Sequence, residues 1–141
     1  MIELIIAISI MATITSICIM KYNDDNYQIN NFARQLCSDI RYVRRENMLN
    51  NQDVYIKFDK ENNKYFYILQ KNKKEDKRVF LPKNVNIQFP VTNKISLLSF
   101  WSDGRCKIGG GTIIIDKNDE CKYITIVPVS GRVLYKEGIY E

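Results

Sequence analysis

Residues 32–58, FARQLCSDIRYVRRENMLNNQDVYIKF, change their apolar period partway along, and that change sets the fold. Ile29, Phe32, Leu36, Ile40, Val43 and Asn47 recur at spacings of three and four, with Arg34, Arg41, Arg45 and Glu46 turned away, which predicts an amphipathic helix over residues 27–49. From Asp53 the period drops to two, so Val54, Ile56 and Phe58 share one face of a strand. The helix stripe therefore needs an apolar sheet to lie on, and the chain begins to supply one at once.

Upstream, residues 1–20 read MIELIIAISIMATITSICIM, with Glu3 as the one ionisable side chain. At about 1.5 Å per residue such a helix spans roughly 30 Å, the thickness of a bilayer core, and its hydroxyls can be satisfied within the helix. The expectation is a transmembrane or filament-core helix over 1–21, an amphipathic half over 22–50 and a β-rich extracytoplasmic head over 51–141. Between the two halves, KYNDDNY forms a polar, hinge-like patch in which Asp24 or Asp25 caps a new turn or is simply solvated.

Downstream, KENN at 60–63 joins DVYIKF to a second strand, KYFYIL at 64–69, as a hairpin. KNKKEDKR at 71–78 reads as a charged tip or loop. Further strands are expected in NVNIQF, bracketed by Pro82 and Pro90, in ISLLSFW at 95–101, TIIID at 112–116, KYITIV at 122–127 and RVLYK at 132–136. Turn chemistry falls at Asp103-Gly104, Asn118-Asp119 and Ser130-Gly131. The fold class is thus α+β, one long N-terminal helix packed on a small, mostly antiparallel sheet of roughly seven strands.

Composition narrows the chemistry. The 141 residues make about one domain. Zero histidines exclude Ser-His-Asp and Cys-His hydrolases and remove the commonest metal ligand. No CxxC pair or P-loop is present, and Gly109-Gly110-Gly111 precedes a strand where a phosphate cradle would precede a helix. No cofactor, metal or enzymatic activity is expected. The net charge of +5 permits contact with phosphates, and the densest basic run is Lys71, Lys73, Lys74, Lys77 and Arg78, for which a solvated loop is the simpler account. Tyr65, Phe66 and Tyr67 beside it offer either a stacking platform for single strands or ordinary core packing. Of four cysteines, Cys18 falls at membrane depth and Cys37 on the helix. Cys106 and Cys121 remain as the disulfide pair, with buried thiols as the alternative.

MIELIIAISIMA, the helix-to-strand junction at 32–58, LSFWSDGRCKIGGGTIIID at 98–116 and YITIVPVSGRVLYKEG at 123–138 together resemble the type IV pilin superfamily, and within it the GspH/FimT branch of minor pilins and pseudopilins, including the minor pilin of competence systems. The resemblance covers nearly the whole chain. It implies a subunit of a type IV pilus, competence pilus or type II secretion pseudopilus that initiates or caps the filament. It implies residence in the cytoplasmic membrane before assembly, contact with lipid, and pairing with other pilin subunits through the N-terminal helix. Glu3 either marks the interfacial end of that helix or, by the resemblance, neutralises the N-terminal amine of a neighbouring subunit. The family's processing motif places Gly and two residues ahead of the position of Met1, so prepilin peptidase is an implied partner if the true start lies upstream. Some members of the branch bind DNA through a Gly-Arg-x-Arg pattern. Here Gly131-Arg132-Val133-Leu134 lacks the second Arg, and Lys136 replaces it as a point charge without the guanidinium fork. A DNA-binding subunit at the pilus tip is the alternative function.

Overall fold

A computed structural model of the chain describes residues 2–50, 54–61, 64–71, 74–89, 96–117 and 120–139, without the side chains of 18–26, 50, 59–61, 64–70, 96 and 139. One helix, α1, runs Ile2–Asn50 over 49 residues. Its backbone passes through residues 21–27 without the break expected there, and the side chains of Cys18, Lys21, Asp24 and Asp25 lie outside the described residues.

The second half of α1 buries the stripe read from the sequence: Ile29, Phe32, Leu36, Ile40 and Val43, joined by Ala33 and Cys37, and Asn47 is 5% exposed. The helix packs on β1 (Val54–Glu61), β6 (Gly111–Lys117), β7 (Glu120–Ile126) and β8 (Val133–Ile139). These belong to two sheets. One has the order β3-β2-β1-β5, with β2 at Lys64–Lys71, β3 at Lys74–Phe80 and β5 at Ser96–Leu98; the other has the order β4-β6-β7-β8, with β4 at Asn86–Gln88. Every pairing is antiparallel. Alternate residues of each sheet, Val54, Ile56 and Phe58 in one and Ile113, Ile115, Ile124, Ile126 and Val133 in the other, meet the helix stripe in a common core with Leu98, Phe100 and Cys106. Because the core is continuous across both sheets, Leu36, fully buried within it, carries the ordinary large-to-small cost of about 2–5 kcal/mol.

The helix-to-strand junction is fixed by Asn47. Its amide donates to the Val54 carbonyl at 2.8 Å and accepts from the Val54 N–H at 3.1 Å, so the first strand residue finds its partners on the helix. At the same end, Arg44 donates to the Gly104 carbonyl (3.3 Å) and the Ser130 carbonyl (3.1 Å), and Arg41 donates to the Val133 carbonyl (3.2 Å). Gly131, at φ 61, lets the two turns touch there, since a Cβ would run into the Gly104 carbonyl oxygen.

Several expectations are corrected. Among the described residues no helix is long and apolar enough to cross a membrane. Within α1 the described stretch Ile2–Ile17 includes Glu3 and four hydroxyl residues. The membrane half of the helix, single-pass residence in the cytoplasmic membrane with an extracytoplasmic head, and the secretion and competence roles that presuppose it therefore have no support. The head is also two four-stranded sheets where one small sheet was expected, so the pilin-like layout is not the fold found. Most of the expected loop at 71–78 is strand: Lys71 ends β2 and Lys74–Phe80 form the edge strand β3. Glu46, placed on the solvent side by its period, is 8% exposed and meets Lys71 at 3.3 Å. Cys106 and Cys121 are not bridged. Cys106 belongs to the common core opposite Phe100, whereas Cys121 is set in β7 between Asp116 and Gly138, with its strand neighbours Lys122 and Ile124 turned to the other face. The expected turn Asn118-Asp119, Pro90, and the side chains of Tyr65, Phe66 and Tyr67 lie outside the described residues.

Candidate functional site

The first turns of α1 present what the head does not cover. Every residue from Ile2 to Ile17 is exposed, with Ile2 at 75%, Leu4 at 66%, Met11 at 70% and Ile17 at 66%. So much contiguous apolar surface on one element marks an interaction surface. Its hydroxyl groups are already satisfied. Ser9 donates to the Ile5 carbonyl, Thr13 to that of Ile10, Thr15 to that of Met11 and Ser16 to that of Ala12, each within 2.8 Å. A partner surface can therefore be dry without orphaning a donor.

The spacing of side chains gives this segment distinct faces. Glu3, Ile6, Ile10, Ile14 and Ile17 follow steps of three and four and form one line, with Glu3 at its N-terminal end. Ser9, Ala12, Thr13 and Ser16 form a neighbouring line of small side chains. A ridge of isoleucines beside a row of small residues suits close packing of like helices. Overall apolarity hid this order in the sequence, because nearly every position of the segment is apolar; helical phase is the signal that finds it.

The cations singled out for nucleic acid are not gathered into a site. Arg132 is exposed just before β8 and Lys136 is exposed four residues along it, which puts them about 13 Å apart at 3.3 Å per residue. In the basic run, Lys71 pairs with Glu46 (3.3 Å), Lys77 with Asp39 (2.9 Å) and Arg78 with Glu75 (2.8 Å), while Lys73 lies outside the described residues. The Glu46 carboxylate raises the affinity of the Lys71 ammonium for its proton, and the Arg78 guanidinium holds the Glu75 carboxyl below its ordinary range. Among the described residues no group of three or more His, Cys, Asp or Glu side chains stands together in a way that holds a metal ion.

Two open clefts flank the packed half of α1. One, of about 470 Å³, is lined by Tyr27, Phe32, Val79, Phe80 and Pro82, and another, of about 420 Å³, by Arg34, Cys37, Arg41 and Tyr135. Burial pushes the Cys37 thiol up against the opposing pull of Arg41, so it is a poor nucleophile. Neither cleft joins a nucleophile to a base. Comparison with known proteins finds no protein family, no curated protein and no solved structure that matches this chain.

Proposed function

We propose that the chain is a structural subunit of a filament, joined to other subunits through its N-terminal helix. The observation that supports this reading is the exposed helix Ile2–Ile17, largely apolar and with its hydroxyls bonded to its own backbone. Such a surface is costly to leave in water, and a bundle of identical helices covers it. The helix is continuous with the buried stripe from Ile29 to Val43, so the head is carried rigidly at the edge of the bundle. In this reading the subunit catalyses nothing, and Glu3, at the tip of the isoleucine line, sets the axial register between neighbours. Its carboxylate needs a cationic partner once the surroundings are dry.

The test is assembly of the full chain on dilution out of a nonionic detergent, followed by electron microscopy. Ordered rods with a constant axial repeat, disordered by Glu3→Gln, are the expected result. A dispersed monomer with its helix uncovered, or amorphous aggregate alone, would sink the reading.

A further inference from the structure

Three segments converge where α1 ends. The turn from Trp101 to Gly104 is closed by a 2.9 Å bond between the Gly104 N–H and the Trp101 carbonyl, and the turn leading to Gly131 by a 2.7 Å bond from its N–H to the Val127 carbonyl. Arg44 ties both turns to the helix through the Gly104 and Ser130 carbonyls. A Cβ at Gly104 would stand 2.8 Å from the Met48 sulfur. On this braced platform Met48, Leu49, Trp101 and Val129 are exposed, Val129 at 80% and Trp101 at 54%.

The same turns carry cations. The Lys107 ammonium lies 5.2 Å from the centre of the Trp101 ring, and Arg132 is exposed beside the Gly131 turn. Arg105 is answered by Asp103 at 2.6 Å. Among the described residues no carboxylate pairs with Lys107 or Arg132. Exposed tryptophan and methionine on one platform with cations on the same turns is the make-up of a protein-binding surface.

We propose that this end of the head docks a protein partner presenting an acidic, apolar segment. Its carboxylates meet Lys107 and Arg132 and its apolar side chains cover Trp101 and Val129. A second copy of this chain is the poorer match, because its exposed apolar helix offers a single carboxylate, Glu3. Nucleic acid also fits less well. Base stacking needs bare aromatic faces, yet Lys107 lies over Trp101, and the other exposed apolar side chains of the platform, Met48, Leu49 and Val129, are aliphatic. The surface is separate from the segment Ile2–Ile17, so the proposal stands or falls apart from the assembly reading.

Trp101 is the chain's one tryptophan, and its emission reports the surface directly. The full chain, kept monodisperse in nonionic detergent, is titrated with a synthetic peptide alternating Asp or Glu with Leu or Phe, with the same peptide carrying Lys in place of the acids, and with an oligothymidylate. The expected result is a saturable blue shift with the acidic peptide alone, weakening as salt is raised. Anisotropy of the labelled acidic peptide should show at least tenfold weaker binding to Lys107→Glu and to Val129→Ser, and unchanged binding to Lys83→Glu, which follows Pro82 at the cleft beside Tyr27. Val129 is exposed enough for the serine variant to fold, and circular dichroism checks this. An equal response to the Lys peptide, a response to the oligonucleotide alone, no response, or full affinity in both tip variants overturns the proposal.

Discussion

Replacing Ile10 with aspartate tests the assembly reading at its centre. Ile10 sits mid-way along the line Ile6, Ile10, Ile14, Ile17 and is 54% exposed in the subunit. Full burial of such a side chain contributes about 1.5–3 kcal/mol, so roughly half of that, about 1–1.5 kcal/mol, remains to be gained in a bundle. An aspartate forfeits this gain and places a carboxylate in a dry helix interface, where insertion scales put the cost near 3 kcal/mol. The sum is about 4 kcal/mol, which raises the concentration at which subunits assemble by roughly a thousandfold. Ile10→Ala removes only the first contribution and raises the threshold by about tenfold at most. Sedimentation velocity of the full chain over a concentration series reads both thresholds. Leu97→Asp is the control, since Leu97 is 44% exposed on the head and has no place in the helix surface. Equal thresholds for wild type and Ile10→Asp, or an equal shift from Leu97→Asp, would refute the reasoning and leave only generic stickiness.

Four other outcomes follow from the head. Asn47→Ala leaves the buried Val54 N–H without its acceptor while the Val54 carbonyl keeps Ser99 at 3.3 Å, so urea unfolding should show a loss of about 1–3 kcal/mol. Gly131→Ala combines a φ of 61° with an overlap on the Gly104 carbonyl and should destabilise by more than Gly109→Ala, whose Cβ meets nothing within 4 Å. The Asp103 carboxyl is held below its ordinary range by the Arg105 N–H and then the Arg105 guanidinium. A lowered folded value makes its stabilisation complete above the ordinary carboxylate value of about 4 and lost as pH falls through the folded value, so Trp101 emission should hold steady from pH 7 to about 4 and change only below, with no such step in Asp103→Asn. The Cys37 thiol is displaced the other way by burial, so the stabilisation is complete below the unfolded thiol value of about 8.5 and lost as pH rises through the folded value. Urea midpoints at pH 8 and pH 10 should therefore differ less in Cys37→Ala than in the parent chain.

What the sequence revealed followed periodicity. The stripe from Ile29 to Asn47 was legible because one helix face meets one core, and Val54, Ile56 and Phe58 because a half-buried strand alternates. Strand β3 was not legible. Five of its seven residues, Lys74 to Arg78, are charged, and as an edge strand it needs no apolar face; its stretch is protected from further pairing by that charge. Its anchor, Lys77 on Asp39, spans 38 residues and has no local signature. Alternation also says that a strand has an inner face without saying which strand lies beside it, so division into two sheets could not be read. The hidden pattern in Ile2–Ile17 has the converse cause. Where nearly every position is apolar, hydropathy carries no phase, and only side-chain size and the position of Glu3 distinguish one face from another.

The charge of the chain argues in the same direction as its shape. A net +5 invites a reading as a phosphate-binding surface, but most of the cations that can be followed are tied to the chain itself. Lys71, Lys77, Arg78 and Arg105 meet carboxylates, Arg34 lies 3.6 Å from Glu137, and buried Lys122 lies 3.9 Å from both Glu120 and Glu137. Arg41 and Arg44 donate to backbone carbonyls at the loop end of the head. Exposed pairs such as Arg34 with Glu137 contribute little to stability, about 1 kcal/mol at most, yet they locally cancel the field that would steer a polyanion. Lys74, Lys83 and Lys136 are exposed but scattered over β3, the turn before β4, and β8, whereas exposed apolar surface gathers on the helix that begins with Glu3 and on the turns that carry Lys107 and Arg132. The proposed division, assembly through one end and a partner at the other, agrees with this, whereas a nucleic-acid surface would need its cations free and in a row.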